Sequence, residues 1–361
     1  MSLTVNQLVP SVVPGDATTT HTLQLKRLLE ARGHRCEIYA LAVHPQLEDE
    51  VRLIGELRGP SNRESFLIYQ FSAYSELADV LMERRERTAV NYHNVTPFRF
   101  YWPYDRGIAL FQRAAEVQVS QLGRISHLAV CDSRFNAADI KERGFKDTVV
   151  SPVLVDLAEL DVEPDHDAAA MLARSRESGG AHFLCVGAIA PHKAQHDLVM
   201  AFAFYRRVFD RRARLMIVGR AMSPRYATAL ERLIAALGLS DSVVLAGGVS
   251  HPELVSYYRA ADALVSVSEH EGFCLPLVEA MYLGVPVVAF NAGAVVETVC
   301  DGGILLDDKS PPSLCAAMWR VASDSKLRET LVGAGRTRAR ELSLERTRAQ
   351  MSRALEAWTA S

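Results

Sequence analysis

The chain has 361 residues, a length that favours two domains of about 150 to 200 residues each over a single core. Its apolar share of 49% and formal net charge of −3 are typical of a soluble globular protein and argue against a nucleic-acid partner. Six cysteines without a CxxC pair indicate neither a zinc site nor a disulfide scaffold, and they fit a reducing cytoplasm.

The N-terminal residues lack the basic start and the apolar core of a signal peptide. No apolar run approaches the roughly 18 to 20 residues that span a bilayer. We therefore expect a cytoplasmic protein, and a weak peripheral contact with the inner face of the membrane stays open.

Short β-branched runs alternate with helical patterns through the first half of the chain, which predicts parallel strands joined by helices. The predicted strands are LTVNQLV, CEIYAL, FLIYQF, TAVNYH and HLAVCDS. The alternation is lost in a polar stretch near residues 156–180, where we place the linker. These patterns predict a first domain over residues 1–165.

The alternation returns in the second half and predicts another doubly wound α/β domain over residues 166–345. The predicted strands are HFLCVGAI, ARLMIVG, SVVLAGG, ADALVSVS and VPVVAF. A last helix, about residues 346–361, follows the final strand of this domain. We expect that helix to pack back onto the first domain.

Two strand ends of the second half carry groups suited to an anionic ligand. The strand in FLCVGAIAPHK ends at Gly187, and Lys193 follows six residues later. The strand in VVAFNAGAVVETV ends at Phe290 and turns through Asn291 and Gly293 into a helix whose first N–H groups could bind a phosphate. Because ligands of parallel sheets bind outside the carboxyl ends of the strands, we expect these groups to line one pocket.

The stretch SEHEGFCLPLVEAM follows the strand ADALVSVS and holds two glutamates with seven residues between them. Pro276 is predicted as the first helical residue, because a helix start does not need its missing N–H. Glu279 is then expected in the first turn, where the helix dipole favours a carboxylate, and Glu271 in the loop before it. Carboxylates suit the paired hydroxyls of a sugar, so with Lys193 the pattern predicts a nucleotide-sugar pocket. The alternative is that Glu279 only stabilises its helix and Glu271 is solvated.

Together these stretches resemble the retaining glycosyltransferases of family 4. The resemblance covers nearly the whole chain and rests on SEHEGFCLPLVEAM, VGAIAPHK, YYRAADALVSVS and GVPVVAFNAGAVVETV followed by GGILL. It implies a GT-B fold, that is, two facing Rossmann-like doubly wound parallel-sheet domains with an interdomain crevice. It also implies a nucleotide-sugar co-substrate, with no further cofactor and no metal ion.

The resemblance implies a role for each matching residue. Glu271 is implied to face the donor sugar, Glu279 to bind the ribose, and Lys193 to contact the diphosphate. Glu271 and Lys193, together with His93 of the first half, are also implied to be catalytic. The other implied donor-binding residues of this half are Gly187, Gly272, Phe273, Cys274 and Leu275.

Two positions depart from the family pattern. Ala188 stands where an arginine commonly accompanies the lysine, and Cys274 stands where glycine is common after EGF. Arg220, at the end of the next strand, is a candidate for the missing positive charge.

In the first half, the stretch VPSVVPGDATTT places a turn at Gly15 between a strand and a helix. This turn resembles the glycine loop that family members direct at the donor, with Asp16 near the sugar or the acceptor. His93, after the strand TAVNYH, resembles the family histidine that contacts the donor sugar and aligns the reacting groups. The alternatives are that Gly15 serves only its turn and that His93 is structural.

The stretch FRFYWPYDRG, residues 98–107, mixes aromatic side chains with Arg99 and Arg106. This composition suits stacking on a sugar ring or contact with a membrane surface, and loop packing explains it equally well.

The sequence thus predicts an enzyme that moves a hexose-type sugar from a UDP- or GDP-linked donor to a hydroxyl group, with retention of configuration. The acceptor is expected to be a saccharide, a lipid-linked glycoconjugate or a small molecule. Two alternatives stay open. One is a nucleotide-sugar epimerase on the same fold, and the other is a catalytically silent subunit that binds nucleotide sugars.

Overall fold

The computed structural model describes residues 2–57, 65–177 and 179–360. The chain divides into two compact units. Unit 1 holds the chain up to Phe98, residues 109–156 and the chain from Ser343 on, and unit 2 holds Arg99–Ile108 and Leu157–Leu342. The chain therefore passes from one unit to the other four times.

Unit 1 is built on a seven-stranded parallel sheet with the order β3-β2-β1-β4-β5-β6-β7. Its strands are β1 (Val5–Val12), β2 (Ile38–Val43), β3 (Arg52–Leu53), β4 (Phe66–Phe71), β5 (Arg87–Tyr92), β6 (Leu128–Cys131) and β7 (Thr148–Val150). Its helices are α1 (Ala17–Ala31), α2 (Leu77–Glu83), most of α3 (Arg106–Leu122), α4 (Arg134–Glu142) and α13 (Leu344–Ala360).

Unit 2 is built on a six-stranded parallel sheet with the order β10-β9-β8-β11-β12-β13. Its strands are β8 (His182–Val186), β9 (Arg214–Val218), β10 (Val243–Gly247), β11 (Ala263–Ser266), β12 (Val287–Phe290) and β13 (Gly303–Leu306). Its helices are α5 (His166–Glu177), α6 (Gln195–Val208), α7 (Pro224–Ala236), α8 (His251–Ala260), α9 (Leu275–Leu283), α10 (Val295–Val299), α11 (Pro311–Ser323) and α12 (Ser325–Glu341).

In both sheets the strand order reverses once, between β1 and β4 in unit 1 and between β8 and β11 in unit 2. This is the doubly wound arrangement, in which ligands bind at the point of reversal. The prediction of two parallel α/β sheets is confirmed. The central strands are apolar and buried because helices cover both faces of such sheets.

The helix α13 is part of unit 1. Trp358 is buried, and its ring lies 4.9 Å from the ring of Phe66 in an edge-to-face arrangement. Leu355 and Met351, about one and two turns earlier, are buried in the same apolar cluster. The buried residues of α13 are thus spaced by about one helical turn and lie on one side of the helix.

The unit boundaries differ from the predicted ones. Unit 2 begins at Leu157 rather than at residue 166, and it also takes Arg99–Ile108 from the first half of the chain. The stretch interpreted as a linker forms a short 3-10 helix and then α5, and of this stretch only residue 178 lies outside the described residues. Leu172 is the one residue of α5 that is fully buried among those described, so its apolar periodicity is weak.

None of the helices in the described ranges combines the length and the apolar character that a bilayer crossing demands.

Candidate active site

The point of strand reversal in unit 2 brings together the ends of β8 and β11. Gly187 follows β8 with a φ of 140°, and Lys193 lies on the short 3-10 helix Pro191–Lys193. Glu271 lies in the loop that leads from β11 to α9. These two loops carry the predicted Lys193 and Glu271 to the edge where parallel sheets bind ligands.

Glu271 is buried and forms an ion pair with the partly buried Lys193. Lys193 Nζ donates to Glu271 Oε1 at 2.6 Å, and the two side chains are 17% and 8% exposed. Burial is the largest single influence and opposes the charge on each group, but the attraction between the two groups, their hydrogen bond and smaller polar contributions together outweigh it. They hold the pKa of Glu271 below its usual value and that of Lys193 above. Both groups are therefore charged at neutral pH.

The loop of Glu271 is held by close backbone contacts. Ala294 N donates to Glu271 O at 2.9 Å. Gly293 has a φ of 60°, and a Cβ there would lie 2.5 Å from Glu271 O, so only glycine fits this approach. The N–H of Ala294 is thus bonded within the protein, and α10 has only five residues. These contacts do not support the predicted phosphate cradle at this helix start.

The segment Gly272–Leu275 turns the chain into α9. Cys274 caps the helix with a φ of 69°, a left-handed conformation that favours glycine. Cys274, which stands where glycine is common in the family, therefore takes a backbone conformation that glycine favours. The backbone of Phe273 is fixed as well, because Thr298 Oγ1 donates to Phe273 O at 2.5 Å. Burial raises the pKa of the Cys274 thiol well above its usual value, so this sulfur is not a thiolate nucleophile.

Helix α9 begins at Leu275, one residue before the predicted start at Pro276. Glu279 consequently lies beyond the first turn, and the expectation that the helix dipole stabilises its carboxylate is wrong. Tyr258 Oη instead donates to Glu279 Oε2 at 2.7 Å. Burial raises the pKa of Glu279 above its usual value, against the opposing effect of the Tyr258 hydrogen bond.

Sequence reasoning missed two residues that support this site. Tyr258 lies in the quoted stretch YYRAADALVSVS, but no local pattern singles it out. Lys309 Nζ contacts Glu269 Oε1 at 2.5 Å and Asp197 Oδ2 at 2.6 Å. Because Glu269 is two residues before Glu271, Lys309 helps to fix the loop that carries the catalytic candidate.

Arg220 follows β9, and its side chain lies along Gly248, where a Cβ would come within 2.6 Å of the Arg220 Cγ. The side chain is exposed, and within the described parts of the chain its guanidinium has neither a hydrogen-bond nor an ion-pair partner. Ala188 is held through its carbonyl, which accepts from Gln195 Nε2 at 2.8 Å. Arg220 therefore remains a candidate for the charge that Ala188 lacks.

In unit 1, Gly15 follows β1 with a φ of 78°, and a Cβ there would meet only open space. The residue is thus required by its turn and leaves room beside the backbone. Asp16 caps α1, because its Oδ2 accepts from Thr19 N at 2.8 Å. This hydrogen bond gives Asp16 a structural role. A contact with the sugar or the acceptor would use the same carboxylate that caps the helix.

His93 follows β5 and lies in a buried polar network. Its Nδ1 is 3.0 Å from Asp132 Oδ2, and its Nε2 is 2.8 Å from Gln70 Oε1. Gln70 Nε2 in turn donates to Gln7 Oε1 at 2.7 Å. Both ring nitrogens of His93 thus face partners within unit 1, which fixes the orientation of the ring.

Comparisons with known proteins agree with this architecture. Residues 173–338 match the family described as glycosyl transferases group 1. A D-inositol 3-phosphate glycosyltransferase of Salinispora arenicola is 33% identical over 233 residues, which is 60% of this chain and 52% of that relative. A relative with the same name from Kineococcus radiotolerans is 36% identical over 202 residues, 52% of this chain and 46% of the relative. The chain thus spans about half the length of the curated relatives it matches.

Solved structures match over nearly the whole chain. HepE of Anabaena in complex with UDP-glucose has a TM-score of 0.76 at 18% identity and covers 98% of this chain and 100% of its own. Sucrose-phosphate synthase of Thermosynechococcus elongatus has a TM-score of 0.77 at 19% identity, with 99% and 100% covered. With the two parallel sheets, these likenesses show the GT-B fold that the resemblance implied.

Proposed function

We propose that the chain is a retaining hexosyltransferase, because residues 173–338 match the family described as glycosyl transferases group 1. It transfers a hexose-type sugar from a nucleotide-diphosphate donor to a hydroxyl of a saccharide or glycoconjugate acceptor. The names of two matched proteins support a UDP- or GDP-linked donor. One is HepE with bound UDP-glucose, and the other is a GDP-mannose-dependent mannosyltransferase of Mycobacterium tuberculosis, 31% identical over 162 residues.

The buried Lys193–Glu271 pair at the strand reversal of unit 2 is the observation that carries this proposal. A buried ion pair contributes little to stability, because desolvation offsets most of the attraction. Its position at the ligand-binding edge therefore favours a functional reason for its presence. The ammonium of Lys193 suits the diphosphate, whose negative charge grows as the bond to the sugar breaks.

Glu271 and Glu279 serve different ends of the donor in this proposal. The ionised Glu271 is suited to stabilise the positive charge that develops on the departing sugar. Glu279 keeps one carboxylate oxygen on Tyr258, which leaves the other for the ribose hydroxyls. Lys193 uses one N–H of its ammonium on Glu271, which leaves the other two for the phosphates.

Thermal unfolding with UDP, GDP, ADP and dTDP tests the donor site. The matching diphosphate should raise the melting temperature in proportion to the logarithm of its concentration over its dissociation constant. UDP-glucose and GDP-mannose are then supplied with and without saccharide acceptors, and release of the diphosphate is measured.

A transferase should release the diphosphate mainly when an acceptor is present, and its product should keep the anomeric configuration of the donor. Release from the donor without any acceptor would favour the epimerase alternative. Binding without any turnover would favour the silent subunit. No shift with any of the four diphosphates would contradict the proposed pocket.

A further inference from the structure

The aromatic segment Arg99–Tyr104 comes from the first half of the chain but belongs to unit 2. The C-terminal end of this segment packs within unit 2, because the ring of Tyr104 lies 5.0 Å from that of Tyr226 in an edge-to-face contact. Arg225 Nη1 also donates to Tyr104 O at 3.4 Å. Tyr101 is only 2% exposed. The segment is therefore a packed part of unit 2.

The N-terminal end of the aromatic segment lies beside His192 and His270. These histidines come directly before Lys193 and Glu271 in the sequence. The ring of Phe100 is 6.3 Å from His192 and 6.2 Å from His270, measured between ring centroids. Tyr101 is 6.0 Å from His192. Burial raises the pKa of Tyr101, and the nearby charge of Lys193 opposes that rise. The segment thus borders the Lys193–Glu271 pair.

His192 supplies a polar atom that lacks a partner. The residue is 9% exposed, and its Nδ1 is buried without a hydrogen bond among the described residues. Burial, helped by the charge of Lys193, lowers the pKa of His192 to about 3, so its ring is neutral. A buried polar atom without a partner is costly, and a ligand hydroxyl would satisfy it.

We propose that Phe100 and His192 form a subsite for the transferred sugar of the donor. The partly exposed ring of Phe100 covers the apolar C–H face of the hexose, while His192 Nδ1 hydrogen-bonds one of its hydroxyls. An apolar face and one neutral polar atom together match a hexose better than they match a phosphate or a charged group. The subsite rests on the proposed function, because it takes the sugar that Glu271 faces.

The test compares a sugar nucleotide with its bare diphosphate in the full chain. Calorimetry measures the dissociation constants of UDP, UDP-glucose, GDP and GDP-mannose for the parent and for Phe100→Leu, which keeps an apolar side chain but removes the ring. The variant should bind the sugar nucleotide about 3- to 10-fold more weakly and the bare diphosphate unchanged. His192→Leu should act in the same direction.

Two matched variants complete the comparison. Trp102→Leu makes the same kind of change in the same segment at a side chain that is 47% exposed, and it should leave all four constants unchanged. Phe100→Tyr keeps an aromatic ring and should keep the tighter binding of the sugar nucleotide. Unchanged diphosphate binding by each variant shows that the site is still folded.

Several results would overturn the subsite. Phe100→Leu could weaken the bare diphosphate and the sugar nucleotide equally, or neither of them. The parent could bind both forms equally tightly, which would mean that no subsite for the sugar exists. In these cases the proposed function can still hold. A parent chain that binds none of the four probes would instead contradict the proposed function, and the subsite with it.

Discussion

Glu271 and Glu279 lie in environments that move their pKa values in opposite directions. Burial opposes the charge of both carboxylates. At Glu271 the charge and hydrogen bond of Lys193, together with a hydrogen bond from Ser268, lower the pKa, whereas at Glu279 burial prevails and raises it. The first group is therefore held charged, and the second takes up a proton more readily than a free glutamate does. Pairs of carboxylates tuned apart in this way commonly have separate tasks in one site.

We expect glutamine substitutions to separate those tasks. Glu279→Gln should weaken binding of the bare nucleoside diphosphate about 10-fold or more, because a charged hydrogen bond to the ribose is lost. Glu271→Gln should leave that binding nearly intact and lower turnover of the full donor by ~10- to 1,000-fold. Calorimetry and initial rates measure the two effects. Equal damage to diphosphate binding by both variants would show that the two glutamates do not serve different ends of the donor.

The raised pKa of Glu279 also predicts how stability depends on pH. The folded chain favours the protonated carboxyl, so this contribution to stability is complete below the unfolded pKa and is lost as pH rises through the folded pKa. Glu279→Gln should therefore unfold at a higher urea concentration than the parent at about pH 8, with no advantage at about pH 4. Such a gain at the cost of binding is typical of functional sites.

Glu253→Gln is the matched control for that experiment. Hydrogen bonds with Ser250 lower the pKa of Glu253, so its stabilising effect is present above the unfolded pKa and is lost as pH falls. This variant should be less stable than the parent at about pH 8, the opposite sign to Glu279→Gln. A destabilised Glu279→Gln at that pH would mean that its carboxylate is not strained in the folded chain.

At the scale of the elements, the sequence patterns located the strands that lie in apolar, β-branched runs of four or more residues. They missed β3, which has two residues, and β7 and β13, whose residues are only partly buried. They missed α5 because a polar helix has little apolar periodicity. Helix α9 begins one residue before its predicted start. The sequence did not indicate this, because the left-handed residue before the helix is Cys274 and not the glycine that is usual in this conformation.

The candidate site was predictable only in part. Lys193, Glu271 and Glu279 stand out because strand ends and the family pattern identify them. Their partners do not, since Lys193 and Glu271 are 78 residues apart and Tyr258 and Glu279 are 21 apart. Phe100 is harder still to place, because nothing local indicates that residues 99–108 join the unit formed by the second half.

At the scale of the whole molecule, each half of the chain gives a segment to the other unit. Arg99–Ile108 of the first half belongs to unit 2, and the chain from Ser343 on, in the second half, belongs to unit 1. Both segments bury aromatic side chains, Tyr101 in unit 2 and Trp358 in unit 1. The free energy of these contacts does not depend on the peptide bond that joins Asp156 to Leu157.

We therefore expect the two halves to stay together after that bond is replaced by a protease site and cut. Each fragment would hold a buried segment in the unit formed mainly by the other, so the fragments should co-elute in size-exclusion chromatography and separate only in denaturant. Trp358→Ala should weaken this association, because removing a buried tryptophan costs about 3 to 5 kcal/mol. Trp319→Ala, at a side chain that is 43% exposed, should leave it unchanged. Fragments that separate in native buffer would show that the exchanged segments do not hold the two units together.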